Sequence, residues 1–347
     1  MNTPSFATGY SLAEAQLTMT LSTLAYIDET PLPSDTTPAI QAARMRADIN
    51  AALAQSTYSG WQVAWGPGLS SDRSNMLYMA QNGSQYAVVI RGTDWSFFMN
   101  WVEDFASVLG LTAFGPANDA SVQIADGTSA GLDTLQTLFG TAPDGTQTNL
   151  LSFLFQIDTN ASVFVTGHSL GGCLASVVAA WLGSGQGLGN ANSLKVYTFA
   201  APSAGNAAFA SYYNQLFTDS AGNSTAFRVY NSLDVVPNGW ASLETVTTYY
   251  PGFVNCPTDI VSAINTVQSY ISNDAYTQVG EASNQSAVEL PGHLLFGSVQ
   301  PSLDPISDVL FGLEAGWQHE TANYLNLLNA KPILTTLPKR TGASSGG

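Results

Sequence analysis

The spacing of apolar and polar residues changes along the chain, and this change predicts an order of helices and strands. Residues 11–27 and 38–54 have helical spacing, and the Pro-rich stretch TPLPSDTTP separates them. Three shorter runs then alternate between apolar and polar residues or are apolar throughout, as is typical of strands: GWQVAWG, NMLYMAQ and QYAVVIRG. The polar tetrapeptide NGSQ predicts a turn between the last two of these strands.

Three later runs are rich in β-branched and aromatic residues, and each leads into a loop or a helix. They are SVFVTG, LKVYTFAAP and AFRVYNSLD. Helices over 173–183 and 206–217 fit the connections, and SAGLDTLQTLFG and the segment before Asp158 are also expected to be helical. Strands that are separated by helices in this way favour an α/β fold, with a mostly parallel central sheet and helices on both faces.

Residues 251–318 have a weaker pattern. AYTQVG predicts another strand, LPGHLLFGSVQPSLDPISDVLFG predicts an extended excursion, and GWQHETANYLNLL predicts the final helix. A chain of 347 residues, 45% of them hydrophobic, can bury one large core. We therefore expect a single domain over residues 1–335 and a flexible tail over 336–347, with two smaller domains as the less favoured alternative.

The charge balance argues against several classes of partner. The formal net charge is −16, but charged residues make up only 10% of the chain, so the imbalance reflects a scarcity of Lys and Arg. Between Lys195 and Lys331 the only basic residue is Arg228. The absence of a basic stripe that could neutralise phosphates argues against nucleic acid as a ligand, and equally against attraction to anionic lipid headgroups.

Two features bear on the membrane and on the cellular compartment. The N-terminal residues lack a basic region before their apolar stretch and predict an amphipathic helix, so we expect either a cytosolic protein or one whose secretion signal has been removed. Residues 161–183 lack Asp, Glu, Lys and Arg, but Gly and polar residues at their centre favour a strand, a turn and a helix over a transmembrane span. Cys173 and Cys256 are expected to be free thiols, with a single disulfide as the alternative.

The sequence TGHSLGG carries the strongest chemical signal. It contains Gly-x-Ser-x-Gly at Gly167, Ser169 and Gly171, with an apolar strand before it and a helix of small residues after it. In that setting the serine occupies a sharp strand-to-helix turn that exposes its Oγ, and the helix N-terminus offers N–H groups to a developing oxyanion. Ser169 is therefore the predicted nucleophile, and an ordinary Gly-Ser turn is the alternative.

A serine nucleophile needs a base and an acid. His168 is adjacent to Ser169, so its side chain is expected to diverge and to serve structure. Both His319 and His293 follow the serine in the order found in α/β-hydrolases. His319 is the preferred base because GWQHETANYLNLL predicts a helix that starts right after a glycine, which places the imidazole at a chain corner; His293, in the loop-like PGHLLFG, is the alternative. Asp234 is the predicted acid because it follows a strand end; Asp259, Asp274, Asp304 and Asp308 lack that context. This chemistry requires no metal and no organic cofactor.

Taken together, several segments resemble the class 3 lipases. The matching pieces are VVIRGT, NWVEDF, VTGHSLGGCLA, VYTFAAPSAGN, AAFASYYNQLF, FRVYNSLDVVP and WQHETANYLNLL, in family order from about residue 12 to 328. The resemblance implies an α/β-hydrolase fold. It also implies an oxyanion hole made by the hydroxyl and N–H of Thr93 and by the N–H of Leu170.

The resemblance also implies a lid directly after Thr93. In that family a short amphipathic helix covers the site in water and rolls back at a lipid surface, and here the segment RGTDWSFFMNWVEDF falls at this place. Its candidate lid or substrate-binding residues are Trp95, Phe97, Phe98 and Trp101. An ordinary core helix is the alternative interpretation.

The chain departs from the family pattern at three places. The connection after Thr93 is longer than in fungal members, and VQIADGTSAGL stands where relatives have a His-x-Gly-Phe-like strand end, so the resemblance defines neither the hinge positions nor the pocket wall near Ala125 and Asp126. His319 follows Asp234 by 85 positions, which implies an insertion near 285–315 that shapes the acyl or alcohol site. His293, if it is not the base, is expected to be a loop or substrate-pocket residue.

These observations predict a serine hydrolase that cleaves carboxylic esters, a triacylglycerol lipase or carboxylesterase. Its substrate would be a lipid or another ester, at a lipid-water interface if the lid is present. The alternatives within the class are a feruloyl-type, a phospholipase A1-like and a polyester-hydrolysing esterase. Outside it, the alternatives are a catalytically silent lipid-binding relative and, least favoured, a serine peptidase. An exposed aromatic lid would also allow self-association.

Overall fold

A computed structural model describes residues 6–92, 110–186, 193–250, 254–271, 275–280, 286–295 and 304–333. Nine helices lie within these ranges: α1 (Leu12–Leu24), α2 (Pro38–Ala54), α3 (Asp126–Thr137), α4 (Leu150–Leu154), α5 (Leu170–Trp181), α6 (Ala207–Leu216), α7 (Thr258–Ile271), α8 (Asp304–His319) and α9 (Thr321–Leu327). None of these described helices is long and apolar enough to cross a membrane. The predicted flexible tail over 336–347 lies outside the described residues.

The described strands number thirteen. They are β1 (Gln62–Leu69), β2 (Met76–Asn82), β3 (Gln85–Ile90), β4 (Leu111–Ala113), β5 (Gln123–Ala125), β6 (Phe139–Thr141), β7 (Gln147–Asn149), β8 (Ser162–His168), β9 (Ser193–Phe199), β10 (Gly205–Asn206), β11 (Ala226–Asn231), β12 (Tyr276–Thr277) and β13 (Ala287–Leu290). The runs that were predicted as strands from their apolar pattern correspond to β1, β2, β3, β8, β9 and β11.

Seven strands form the central sheet in the spatial order β1-β2-β3-β8-β9-β11-β13. The first three pair antiparallel, and every pair from β3 to β13 is parallel. Because parallel strands point the same way, β8, β9 and β11 all end at the same edge. The mostly parallel α/β sheet predicted from the sequence is confirmed.

Two apolar clusters cover the opposite faces of this sheet. Val88 and Ile90 of β3 pack in one cluster with buried residues of α5, whereas Ala87 and Val89 pack in the other with α1, α2 and α9. This alternation follows from the two-residue period of a strand. The prediction of helices on both faces is therefore confirmed.

Two smaller sheets accompany the central sheet. A four-stranded sheet has the order β12-β10-β5-β4, and β6 pairs with β7. AYTQVG contributes only Tyr276 and Thr277 to a strand, and this strand belongs to the small sheet. A third apolar cluster includes Ala125, Val236 and Phe311, so it joins the small sheet, the loop after β11 and α8.

The C-terminal region differs from the sequence prediction. The segment predicted to be extended includes the start of α8 at Asp304, and the predicted final helix is two helices, α8 and α9, with Glu320 between them. Pro305 and Gly312 indicate breaks when read locally, but Pro is tolerated in a first helical turn. Phe311 and Ala315 are four residues apart and are 2% and 1% exposed, which gives this helix a buried stripe.

Candidate active site

Ser169 stands alone between the end of β8 at His168 and the start of α5 at Leu170. Its backbone has φ 62° and ψ −133°, a conformation that a residue with a side chain rarely adopts. The Ser169 N–H donates to the carbonyl oxygen of Phe199 on β9 at 2.9 Å. The chain therefore turns sharply at the serine, as the Gly-x-Ser-x-Gly pattern predicts.

Two glycines allow this turn because they let backbones approach closely. A Cβ at Gly167 would lie 2.2 Å from the carbonyl oxygen of Gly171, and a Cβ at Gly171 would lie 2.4 Å from the carbonyl oxygen of Ile90 and 2.6 Å from the nitrogen of Gly92. The start of α5 thus packs directly on the end of β3. Leu170, the first residue of α5, is half-buried, and its N–H has no carbonyl available within the helix.

The structure brings together the three predicted residues Ser169, His319 and Asp234. His319 Nε2 lies 2.8 Å from Ser169 Oγ, and His319 Nδ1 lies 2.9 Å from Asp234 Oδ2. All three are buried, with exposed fractions of 7% for Ser169, 4% for His319 and 0% for Asp234. With the proton on Nδ1, the imidazole donates to the carboxylate and leaves Nε2 to accept the serine hydroxyl proton.

The buried carboxylate of Asp234 has further donors. Tyr324 Oη donates to Asp234 Oδ2 at 2.8 Å, and the N–H of Val236 donates to Oδ1 at 3.0 Å. Burial, together with the negative charge of Asp234, raises the pKa of Tyr324 well above 10, so its phenol stays protonated and remains a donor. These bonds stabilise a carboxylate that is fully removed from water.

His168 is separate from this chain of hydrogen bonds. Its Nδ1 lies 3.3 Å from the hydroxyl of Tyr26, and its ring centroid lies 4.7 Å from that of His319. Burial, and then the proximity of His319, lower the pKa of His168 well below 6.5. A neutral, buried ring held by Tyr26 fits the structural role predicted for His168.

Of the other predicted residues, one is described by the structure and five are not. His293 is exposed, and its backbone carbonyl, not its imidazole, joins the buried network by accepting from Gln318 Nε2 at 2.7 Å. The oxyanion residue Thr93 lies outside the described residues, and so do the four aromatic residues predicted for the lid or substrate site: Trp95, Phe97, Phe98 and Trp101.

Sequence reasoning missed several residues that contact the site. Tyr26, Asn231, Gln318 and Tyr324 all bond to the predicted residues or to their immediate neighbours. Asn231 had a weak signal, since a polar residue ends an apolar strand three positions before Asp234. Tyr324 and Tyr26 had none, because their partners are 90 and 142 residues away along the chain.

Metal and thiol chemistry have little support in the part of the chain that the structure describes. There, no group of three or more His, Cys, Asp and Glu residues is arranged to hold a metal ion. Both cysteines are free; Cys173 is buried and Cys256 is half-buried. Burial raises the pKa of each thiol to about 11, so neither is an activated nucleophile.

Known proteins match this chain at the level of sequence and of structure. A family model described as Lipase (class 3) matches residues 87–242, which include Ser169 and Asp234. Lipase ZK262.3 of Caenorhabditis elegans is 44% identical over 79 residues, which is 23% of this chain and 20% of that protein. This chain therefore matches only about a fifth of the length of that relative.

Among solved structures, the crystal structure of M37 lipase is similar with a TM-score of 0.76 and 26% identity, over 92% of this chain and 93% of that chain. Nonglycosylated LIP2 lipase of Yarrowia lipolytica is similar with a TM-score of 0.46 and 19% identity, over 68% and 78% of the two chains. The family match shows that residues 87–242 are similar to the class 3 lipases, and the near-complete likeness to M37 lipase shows that this chain shares the α/β-hydrolase fold of that protein.

Proposed function

We propose that this protein hydrolyses carboxylic esters by acyl transfer to Ser169. The observation that carries the proposal is the continuous pair of hydrogen bonds from Ser169 Oγ through His319 to Asp234, at 2.8 and 2.9 Å. Nucleophile, base and orienting acid are each within hydrogen-bond distance of the next, which is the geometry that serine acyl transfer requires.

The proposed chemistry begins when Ser169 Oγ attacks the ester carbonyl carbon and its proton moves to His319 Nε2. The resulting imidazolium is stabilised by Asp234, whose own bonds to Tyr324 and Val236 keep its carboxylate in place. His319 then gives the proton to the leaving alcohol, which departs as the acyl-enzyme forms. Water activated by the same imidazole releases the acid and restores the serine.

The tetrahedral oxyanion needs hydrogen-bond donors. Leu170 is suited to this role because its N–H lies at the N-terminus of α5, where the helix dipole favours negative charge. The second donor would be Thr93, through its N–H and hydroxyl, as in the class 3 lipases. Support for this assignment comes from Gly92, whose nitrogen lies close to Gly171 at the start of the same helix.

We further propose a triacylglycerol or similar lipid ester as substrate. Ser169 is 7% exposed, which fits a nucleophile that a lid covers in water, as in the class 3 lipases. The aromatic segment that follows Thr93, with Phe97, Phe98 and Trp101 spaced for one helix face, is the proposed lid. A lid with an apolar inner face would open at a lipid surface, where that face remains out of water.

The assignment of roles is tested with a water-soluble short-chain p-nitrophenyl ester. Ser169→Ala, His319→Ala and Asp234→Asn should each lower kcat by about 10⁴-fold or more, because members of such a unit act together. His293→Ala is the matched control and should keep kcat within about twofold. Near-normal kcat in His319→Ala combined with loss in His293→Ala would transfer the role of base to His293.

The substrate class is tested by the initial rate on tributyrin across its solubility limit, with Ser169→Ala as the blank. A rate that rises sharply when droplets appear supports a lipase with an interfacial lid. Saturation below the limit would instead indicate an open esterase site. A folded protein with no rate above the blank would favour a catalytically silent lipid-binding relative.

A further inference from the structure

Asn231 joins the two elements that carry Asp234 and His319. It is the last residue of β11, is 0% exposed and lies three positions before Asp234. Its Nδ2 donates to the backbone carbonyl of Gln318 at 2.9 Å and to the side-chain oxygen Oε1 of Gln318 at 2.7 Å. Since Gln318 immediately precedes His319, one amide ties the end of the acid strand to the backbone of the histidine.

The remaining polar atoms of Asn231 are also paired. Its Oδ1 accepts from the N–H of Leu233 at 3.1 Å, and its own N–H donates to Tyr324 Oη at 3.0 Å. Tyr324 in turn donates to Asp234. The backbone of Gly292 also packs closely against this side chain, because a Cβ at Gly292 would lie 2.2 Å from Asn231 Oδ1. The side chain of Asn231 is therefore fixed in one orientation.

Gln318 is fixed from its other side. It is 0% exposed, and its Nε2 donates to the carbonyl of His293 and to Glu314 Oε1, both at 2.7 Å. Glu314 is also 0% exposed and accepts from the N–H of Leu295 at 3.0 Å. These bonds turn the amide oxygen of Gln318 towards Asn231. A fully paired buried network of this kind is rigid, because rotation of any one amide would leave buried groups unpaired.

We propose that Asn231 and Gln318 are positioning residues that set the alignment of His319 with Asp234 and Ser169. His319 ends a helix and Asp234 lies in a turn 85 residues earlier, so neither local segment can fix the distance between the two side chains. The bonds from Asn231 to Gln318 provide that cross-link next to both residues. A displacement of about 1 Å at a catalytic group can cost about 10²-fold in rate.

The inference rests on the proposed function, and it is tested by Asn231→Ala on the same water-soluble ester. We expect kcat to fall about 10²-fold, while KM stays within about threefold, because alignment and not ester binding is disturbed. Gln318→Met keeps the backbone carbonyl that Asn231 contacts and should lower kcat about tenfold. If Asn231→Ala does not fold, Gln318→Met alone carries the test.

Asn206→Ala is the matched control. The side chain of Asn206 makes four hydrogen bonds, with Gln123 N–H, Phe209 N–H, the Ser121 carbonyl and Gln123 Oε1, and none of these partners is one of the three proposed catalytic residues. Asn206 is half-buried, so loss of its amide should lower Tm and leave kcat unchanged. In proton NMR, the low-field resonance of the His319 Nδ1 proton should persist in Asn206→Ala and shift or broaden in Asn231→Ala.

Two results would overturn the inference. One is a folded Asn231→Ala or Gln318→Met enzyme with kcat within twofold of the wild type and an unchanged low-field resonance. The other is an equal loss of kcat in Asn206→Ala, which would reduce the effect to general destabilisation. The His319→Ala variant distinguishes these two results from a failure of the proposed function, since an active His319→Ala enzyme would refute the role of His319 itself.

Discussion

Replacing Tyr324 by Phe removes a single oxygen atom at the centre of the buried network. The Tyr324 hydroxyl donates to Asp234 Oδ2 at 2.8 Å and accepts from the N–H of Asn231 at 3.0 Å, and the residue is 0% exposed. The ring would stay in place, because its packing against His168, with centroids 5.4 Å apart, does not involve the hydroxyl. The variant therefore tests two hydrogen bonds without opening a large cavity.

The expected loss of stability follows from the buried groups that each lost hydrogen bond would leave without a partner. A hydrogen bond to a charged group is worth about 1.5–3 kcal/mol, and a buried N–H without an acceptor costs about 1–3 kcal/mol. Both Asp234 and the Asn231 N–H would remain buried, so the free energy of unfolding should fall by about 3 kcal/mol. Asp234 would keep Val236 and His319 as donors, so kcat should fall only about tenfold.

The free energy of unfolding is measured by urea titration, followed by tryptophan fluorescence. An unchanged m value would show that the variant and the wild type expose the same surface on unfolding. Tyr86→Phe is the control, because the Tyr86 hydroxyl makes a partly buried bond with Gln81 Nε2 at 2.7 Å and should cost less than about 1 kcal/mol. If Tyr324→Phe costs no more than Tyr86→Phe, the hydroxyl of Tyr324 does not stabilise a buried carboxylate as described.

Two further predictions concern stability. Burial lowers the pKa of His168 well below its ordinary 6.5 in the folded state, so below that pH the unfolded chain binds a proton that the folded chain does not. The free energy of unfolding should therefore fall as the pH drops below about 6.5, by up to about 1.4 kcal/mol per pH unit. His168→Asn should remove this part of the slope in urea titrations at about pH 7 and pH 5, and an unchanged slope would refute it. Lys195, 1% exposed, donates to the carbonyls of Ala7 and Gly9 and to Glu14 Oε2, so Lys195→Met should cost about 3 kcal/mol. The double variant with Glu14→Gln should lose less than the sum of the two single variants, whereas additive losses would show that the pair is not coupled.

The sequence alone predicted the strands whose side chains are buried along nearly their whole length. β3 and β8 are buried over nearly their whole length, and their continuous apolar runs predicted them correctly. β13 was missed because it has only four residues, AVEL, of which three are half-buried or exposed, so it has no apolar run. An edge strand of this kind is held by its pairing with β11, which local spacing does not encode.

The candidate site was predictable to the extent that chain order and local motif define it. Gly-x-Ser-x-Gly and the strand end before Asp234 identified two of the three residues that the structure brings together. His319 was chosen by its order and by a helix expected to start directly after Gly316, whereas the residue ends a helix that starts at Asp304. The interval between Asp234 and His319 contains α7, β12, β13 and most of α8, and the insertion expected near 285–315 stays a prediction.

The supporting network lay beyond local reasoning. Asn231 and Gln318 are 87 residues apart, and their contact depends on how β11 and α8 meet in the fold. Nothing in the sequence around Gln318 distinguishes it from a polar residue on an exposed helix face. Buried polar contacts of this kind are decided by tertiary packing, which overrides local propensity.

The most direct test of the central claim is the mass of the protein after reaction with a fluorophosphonate, followed by peptide mapping. The proposed mechanism predicts one adduct per chain, located on Ser169, because His319 makes this hydroxyl nucleophilic. Ser169→Ala should remain unlabelled, and His319→Ala should react far more slowly. A folded wild-type protein that stays unlabelled, or that carries the adduct on another serine, would contradict the proposal that Ser169 is the nucleophile.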